Sequence, residues 1–233
     1  MLETSVNSAL LRSRVYGLLR RVFTDEVDEA FLDWCGEQQE GGLWSGLGMS
    51  FADVVAAADP EATLERLAVD FCQLFVTSGA EGSPHESLHT GAQAAKGGQL
   101  LLLRDSAAAV RKLYREAGME LAEAGHLLPD ALAVELEFME RLSAQEAVAA
   151  EENRPDQVTR LRDLQRRMLG EHVGRWVPAY AQRLAGEATT AFYRTMLNLL
   201  ADFVEWDTRQ ELRGGTRPSG GSQEVECEQP RRT

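Results

Sequence analysis

With 233 residues, 44% of them hydrophobic and 26% charged, the chain can build one domain with a sizeable core or two small lobes, and its composition is that of a globular protein. A formal net charge of -13 argues against a nucleic-acid partner, whose phosphates would be repelled, and against anionic lipid; it favours cationic partners at long range. The three cysteines, Cys35, Cys72 and Cys227, are widely spaced with no C-x-x-C pair, which excludes a disulfide framework or zinc ribbon and fits a reducing, cytoplasmic setting.

Leu11, Val15, Leu18, Leu19 and Val22 recur at helical spacing and predict an amphipathic helix over 5–24. Arginines at 12, 14, 20 and 21 interrupt its apolar run, so no signal peptide is expected there, and no stretch of the chain predicts membrane insertion. Asp28 to Gln38 predicts a shorter helix with Phe31 and Trp34 on its apolar side. Gly41-Gly42 and Gly46 to Gly48 read as loop, and Phe51 to Ala58 as a further helical piece. Asp59-Pro60 is a helix entry, Asp59 as N-cap and Pro60 at the first helical position. From there Leu64, Leu67, Ala68, Phe71, Leu74 and Phe75 form one clean stripe.

Gly, Ala and Ser dominate 76–99, which reads as mostly loop. Leu100 to Ala117 returns to helix and Gly118 stops it. Pro129-Asp130 opens the next helix, running to about Ala150. Asn153-Arg154-Pro155 restarts the chain, after which Leu161, Leu164, Met168, His172 and Trp176 follow one face. Phe192, Met196, Leu199, Leu200 and Phe203 define a last helix to about Thr208. From Arg213 onward the Gly/Ser/Pro/charged composition buries too little to order itself. With no internal repeat and no alternating strand pattern, the fold class is all-α, a bundle of about eight or more helices.

The break after Phe75 is where an apolar surface meets convergent polar groups. His85-Glu86-Ser87-Leu88-His89 matches H-E-x-x-H, in which two imidazoles at i and i+4 of a helix hold zinc and the glutamate activates a bound water. A zinc-dependent hydrolase is therefore one reading, with His126, His172 or an unidentified carboxylate as third ligand. Against it, Ser83 and Glu86 form a capping box with Pro84 at the first helical position, and the flanking residues are small and polar. On the helix from Asp130, Glu135 falls inside the apolar arc of Leu132, Leu136, Met139 and Leu142; it needs either an arginine from a neighbouring helix or a wet cleft.

Several landmarks in order resemble the TorD/DmsD/NarJ family of molybdoenzyme maturation chaperones. Asp70-Phe71-x-x-Leu74-Phe75 followed by Pro84-x-x-Ser87 is similar to that family's acidic-aromatic-x-x-Leu-Phe and Pro-x-x-Ser motifs. Leu128-Pro129-Asp130-Ala131-Leu132, running into Glu135-Leu136-Glu137-Phe138-Met139, resembles its Pro-Asp-His segment, with Ala131 where the family usually has histidine. Glu171-His172, Trp176, Pro178, Phe192-Tyr193 and Phe203 resemble its C-terminal region. The resemblance spans about 8–207 and implies two lobes, about 1–118 and 128–208, joined by a loop near 118–129, with a disordered tail over 209–233. It implies a non-catalytic cytoplasmic protein without a cofactor of its own, as a monomer or swapped homodimer. Its partner is the apo catalytic subunit of a molybdenum oxidoreductase, bound through an N-terminal leader such as a twin-arginine signal peptide. The implied groove is lined by Asp70, Phe71, Leu74, Phe75, Pro84, Ser87, Pro129, Asp130 and Glu135, with Asp70 and Asp130 as partners for leader arginines.

Overall fold

In the computed structural model, which describes residues 2–37, 59–90, 99–119 and 128–214, the N-terminal helix organises much of the rest. Among the described residues there are nine α-helices and no strand. They are α1 (Leu2–Thr24), α2 (Glu29–Glu37), α3 (Pro60–Phe71), α4 (Gly79–Gly82), α5 (Gln99–Glu116), α6 (Leu132–Glu151), α7 (Pro155–Glu171), α8 (Val173–Glu187) and α9 (Ala191–Gly214). The predicted loop at 41–48 and the helical piece at 51–58 lie outside the described residues.

α1 buries Val15, Tyr16, Leu18, Leu19, Val22 and Phe23 and lies along α6. Ion pairs from Arg12 to Glu146 (3.4 Å) and from Arg20 to Glu140 (2.8 Å) run in opposite sequence directions on the two helices, so the pair is antiparallel. Arg12 also reaches Asp207 (2.7 Å) and Glu211 (3.0 Å) on α9 and Gln165 on α7. Tyr16 donates its hydroxyl proton to Asp207 (2.6 Å). One buried guanidinium thus ties four helices together. A single continuous core contains side chains from Val15 to Val204, drawn from both sides of the 118–129 segment.

The helix entry at Asp59 forms as read: its carboxylate accepts from the Ala62 amide (3.0 Å) with Pro60 at the first position. The stripe beyond it does not stay α-helical. Cys72–Val76 widens into a π-helical turn, with the Thr77 N–H bonded to the Cys72 carbonyl five residues back (2.9 Å). Phe75 is thereby set against Phe23, Phe71 and Tyr193.

Four boundaries differ from the sequence reading. Asp130 does not open a helix; Pro129-Asp130 form a turn, Ala131 is extended and pairs with His85 in an isolated antiparallel bridge, and α6 begins at Leu132. The Ser83–Glu86 capping box does not form either, because Ser83 Oγ bonds His85 Nδ1 (2.9 Å) and only a short 3-10 turn, Glu86–Leu88, follows. The face running from Leu161 to Trp176 is divided at His172, whose backbone leaves the helical region between α7 and α8. The last helix continues to Gly214, into the segment read as tail, because Glu211 is held by Arg12. Residues 215–233 lie outside the description.

The α7–α8 junction leaves no room for a side chain at Gly174. A Cβ there would collide with the Leu169 carbonyl and come within 2.7 Å of Thr208 Oγ1 on α9. Gly174→Ala is expected to destabilise the protein by about 1–3 kcal/mol in a urea titration, although alanine is the better helix former. A neutral or stabilising result would mean that the junction yields freely.

Candidate functional site

The residues after the π-turn and those before α6 are stapled together by backbone. The Glu86 amide donates to the Asp130 carbonyl (2.9 Å), and the Leu132 amide donates to the Pro84 carbonyl (2.8 Å). The Ser87 amide donates to Asp130 Oδ2 (3.2 Å). Tyr114 on α5 closes the turn from below by donating its hydroxyl proton to the Pro129 carbonyl (2.9 Å).

Beneath the staple lies a buried polar cluster. Glu86 Oε2 is bonded to His172 Nδ1 (2.9 Å), and the Trp176 indole N–H donates to Glu135 Oε2 (3.1 Å). Glu86, Asp130, Glu135 and His172 are all buried. Burial first, and then the adjacent Glu86 carboxyl, hold Glu135 well above the ordinary carboxylate range. Glu135 therefore keeps its proton at pH values where an exposed glutamate is ionised. Burial, followed by Glu135, Asp130 and Glu86, likewise pushes the Tyr114 phenol well up. Neither sequence reading of Glu135 describes this outcome, since its partners are an indole and a second carboxyl rather than an arginine or open water.

The outer wall of the cluster is His89. Its ring lies parallel to Trp176 with centroids 5.2 Å apart, and its Nε2–H donates to the Ser83 carbonyl (2.8 Å). Burial, resisted by that bond and aided by the charges of Arg183 and His85, keeps His89 below the usual imidazole value. Tyr180 donates to the Gly82 carbonyl (2.8 Å), and Arg183 bonds the Glu81 carbonyl. His85 and His89 therefore do not share a helical face, and Glu86 turns inward to His172. No group of three or more metal-binding side chains exists among the described residues. The hydrolase reading has no support in this geometry.

The predicted groove residues fall into two sets. Phe71, Leu74 and Phe75 join Phe23 and Tyr193 in an aromatic cluster, with only Phe75 half exposed. Pro84, Ser87, Pro129, Asp130 and Glu135 build the staple and its cluster; Pro84 is the half-exposed member. Asp70 is 0% exposed and belongs to neither set. Its carboxylate accepts from the Thr189 amide (3.0 Å), the Thr190 amide (2.8 Å) and the Thr190 hydroxyl (2.6 Å), at the entry to α9. Burial raises the Asp70 pKa, but the Thr190 and Thr189 bonds outweigh it and hold the group below its ordinary value. Both Asp70 oxygens are thus already engaged with donors of the chain, and a leader arginine would have to compete with them.

Residues 42–182 match the family described as nitrate reductase delta subunit. The chain belongs to this family, the TorD/DmsD/NarJ proteins. It is 30% identical over 210 residues to the chaperone protein TorD of Photobacterium profundum, covering 84% of this chain and 92% of that one. It is 29% identical over 214 residues to the perchlorate reductase assembly chaperone protein of Dechloromonas aromatica, covering 86% and 89%. A TorD from Shewanella piezotolerans is 26% identical over 213 residues, covering 87% and 92%.

In this TorD/DmsD/NarJ protein the motif residues act chiefly on one another, and an open surface lies beside them. A groove of about 580 Å³ runs between α3 and the start of α9, lined by Thr63, Arg66, Leu67, Val69, Thr190 and Phe192 among others. Val69 is 51% exposed there, and Glu65 stands at the rim. The sequence reading gave Tyr114 and Trp176 no site role and named His172 only as a possible third zinc ligand. Glu86 reads in the sequence as a helix cap or as the glutamate of a zinc site, and no local pattern joins it to His172. No helix among the described residues is long and apolar enough to cross a membrane.

Proposed function

We propose that this protein is a cytoplasmic, non-catalytic maturation chaperone that binds the leader peptide and apo form of a molybdopterin-containing oxidoreductase and holds it for cofactor insertion. The observation that carries this reading is the near full-length match to chaperones, one of them named for assembly of perchlorate reductase. The groove along α3 supports it: Leu67, Val69 and Phe192 offer an apolar floor of the kind that accepts a hydrophobic leader segment. The chain's net charge of -13 suits the basic end of such a leader and steers its approach. Phe75 and Pro84 are the motif side chains left half exposed for contact, flanked by exposed Val76 and Leu128. Asp70, Phe71, Leu74, Ser87, Pro129, Asp130 and Glu135 act beneath that surface by holding its shape.

Calorimetry with the leader peptide of a co-encoded molybdoenzyme tests the reading. Binding should weaken as salt rises, because exposed charges are screened beyond about 10 Å at 0.1 M. Val69→Asp should weaken it at least about tenfold, since a carboxylate would be buried against the leader. Stability should stay within about 0.5 kcal/mol, because Val69 is exposed. Failure of every such leader to bind sinks the function; full affinity in Val69→Asp sinks only the groove.

A further inference from the structure

We propose that the contact between Pro84–Ser87 and the Pro129–Leu132 turn is a proton-held latch: the proton on the buried Glu135 side chain, which faces Glu86, keeps it shut, and loss of that proton opens it. The covering contact is slight. Two backbone hydrogen bonds and one bond from Asp130 join segments more than forty residues apart, with no sheet on either side among the described residues. What lies beneath is chemically decisive. Glu135 Oε1 is enclosed and receives no N–H or hydroxyl donor from the described residues, while the Glu86 carboxyl lies within hydrogen-bonding reach. Two facing carboxyl groups can bond only when one of them carries a proton.

Among the described residues, the surroundings offer no cation to replace that proton at Glu135. The groups facing it are Glu86 from the 3-10 turn, Asp130 from the turn before α6, the Tyr114 phenol from α5 and the neutral Trp176 indole from α8. His172 is the basic group of the cluster, and it is bonded to Glu86 Oε2. Ionising Glu135 would place a bare negative charge in this buried cluster, a state that local separation relieves by letting water in.

The direction with pH follows. The latched form holds one proton more than the released form, whose Glu135 titrates near the ordinary value of about 4.3. Opening becomes about tenfold more favourable per pH unit from there up to the higher value in the latch, and levels off above it. Release would uncover Ser87, Pro129 and Asp130 next to half-exposed Pro84. That this surface then takes a leader peptide rests on the function proposed above.

Amide hydrogen exchange by NMR on the full-length protein tests the latch. Protection factors at the Glu86, Ser87 and Leu132 amides, corrected for intrinsic exchange, should fall about tenfold per pH unit while the Glu135 carboxyl carbon reports the protonated form. Leu19 and Leu142, in the α1–α6 core, should not follow. Glu135→Gln, which keeps the shape and cannot ionise, should abolish the slope. A flat profile in the wild type, an equal slope in Glu135→Gln, or the same slope at Leu19 and Leu142 would overturn the proposal. Should Glu135→Gln fail to fold, a wild-type Glu135 carbon signal already ionised near pH 6 would overturn it too. In a leader titration, affinity should rise with pH in the wild type and not in Glu135→Gln. Leader affinity indifferent to pH while the latch slope is present overturns the gating; absence of leader binding at every pH overturns the chaperone reading and leaves the latch to the exchange data.

Discussion

Arg12→Met is expected to lower the unfolding free energy by about 3–5 kcal/mol, read as a shift of the urea midpoint at an unchanged slope. Arg12 is only 4% exposed, yet it serves Glu146, Asp207, Glu211 and Gln165 from its guanidinium fork. Removing it strands Asp207 in the interior with the Tyr16 hydroxyl as donor, while Glu146 keeps Arg162 (2.7 Å) and Gln165. The loss exceeds that of a surface pair because the stranded Asp207 carboxylate cannot recover its hydration. Arg12→Lys keeps the charge and should still be clearly destabilised, since one ammonium cannot span partners on α6, α7 and α9 with the geometry of a guanidinium. A penalty under about 1 kcal/mol for Arg12→Met would show that water enters this network readily.

Asp70→Ala should cost on the order of 3 kcal/mol, because the Thr189 and Thr190 amides and the Thr190 hydroxyl lose their acceptor at the entry to α9. Asp70→Asn retains one acceptor oxygen and should fall between the two. The pH dependence has a defined sign. Because the folded carboxyl titrates below its ordinary value, its contribution is fully present above about 3.9 and is lost as pH falls through the folded value. Guanidinium titrations at neutral and strongly acidic pH should therefore show the wild type losing this increment and Asp70→Asn lacking it. An equal acid loss in both proteins would place the increment elsewhere. The result also separates two views of the family motif: a residue that holds the entry to α9 changes stability, whereas an arginine partner would change leader affinity alone.

The motif from Asp70 to Ser87 was recognisable in the chain, and so was the all-helical class. Helix spacing, the Asp59-Pro60 entry and the stop at Gly118 follow from local stereochemistry, and Gly118 indeed adopts a positive φ of 72°. The aromatic run through Phe75 was legible because hydrophobic periodicity is a property of neighbouring residues. What each motif residue does was not. Asp70 bonds to residues more than a hundred positions away, and Asp130 serves the Ser87 amide instead of its own helix. Glu86 reads locally as half of a capping box or of a zinc motif, and becomes the partner of His172 only when α7 and α8 are folded against it.

The sequence by itself therefore determined that the chain is helical, which faces are apolar, and that the chain is a TorD/DmsD/NarJ protein by the order of its motifs. Only the tertiary structure decided which carboxylates meet a donor, which must keep a proton, and which apolar side chains remain open along α3. The physical reason is that periodicity and capping are settled over a few residues, whereas the state of a buried charge depends on dielectric and partners that arrive from across the chain.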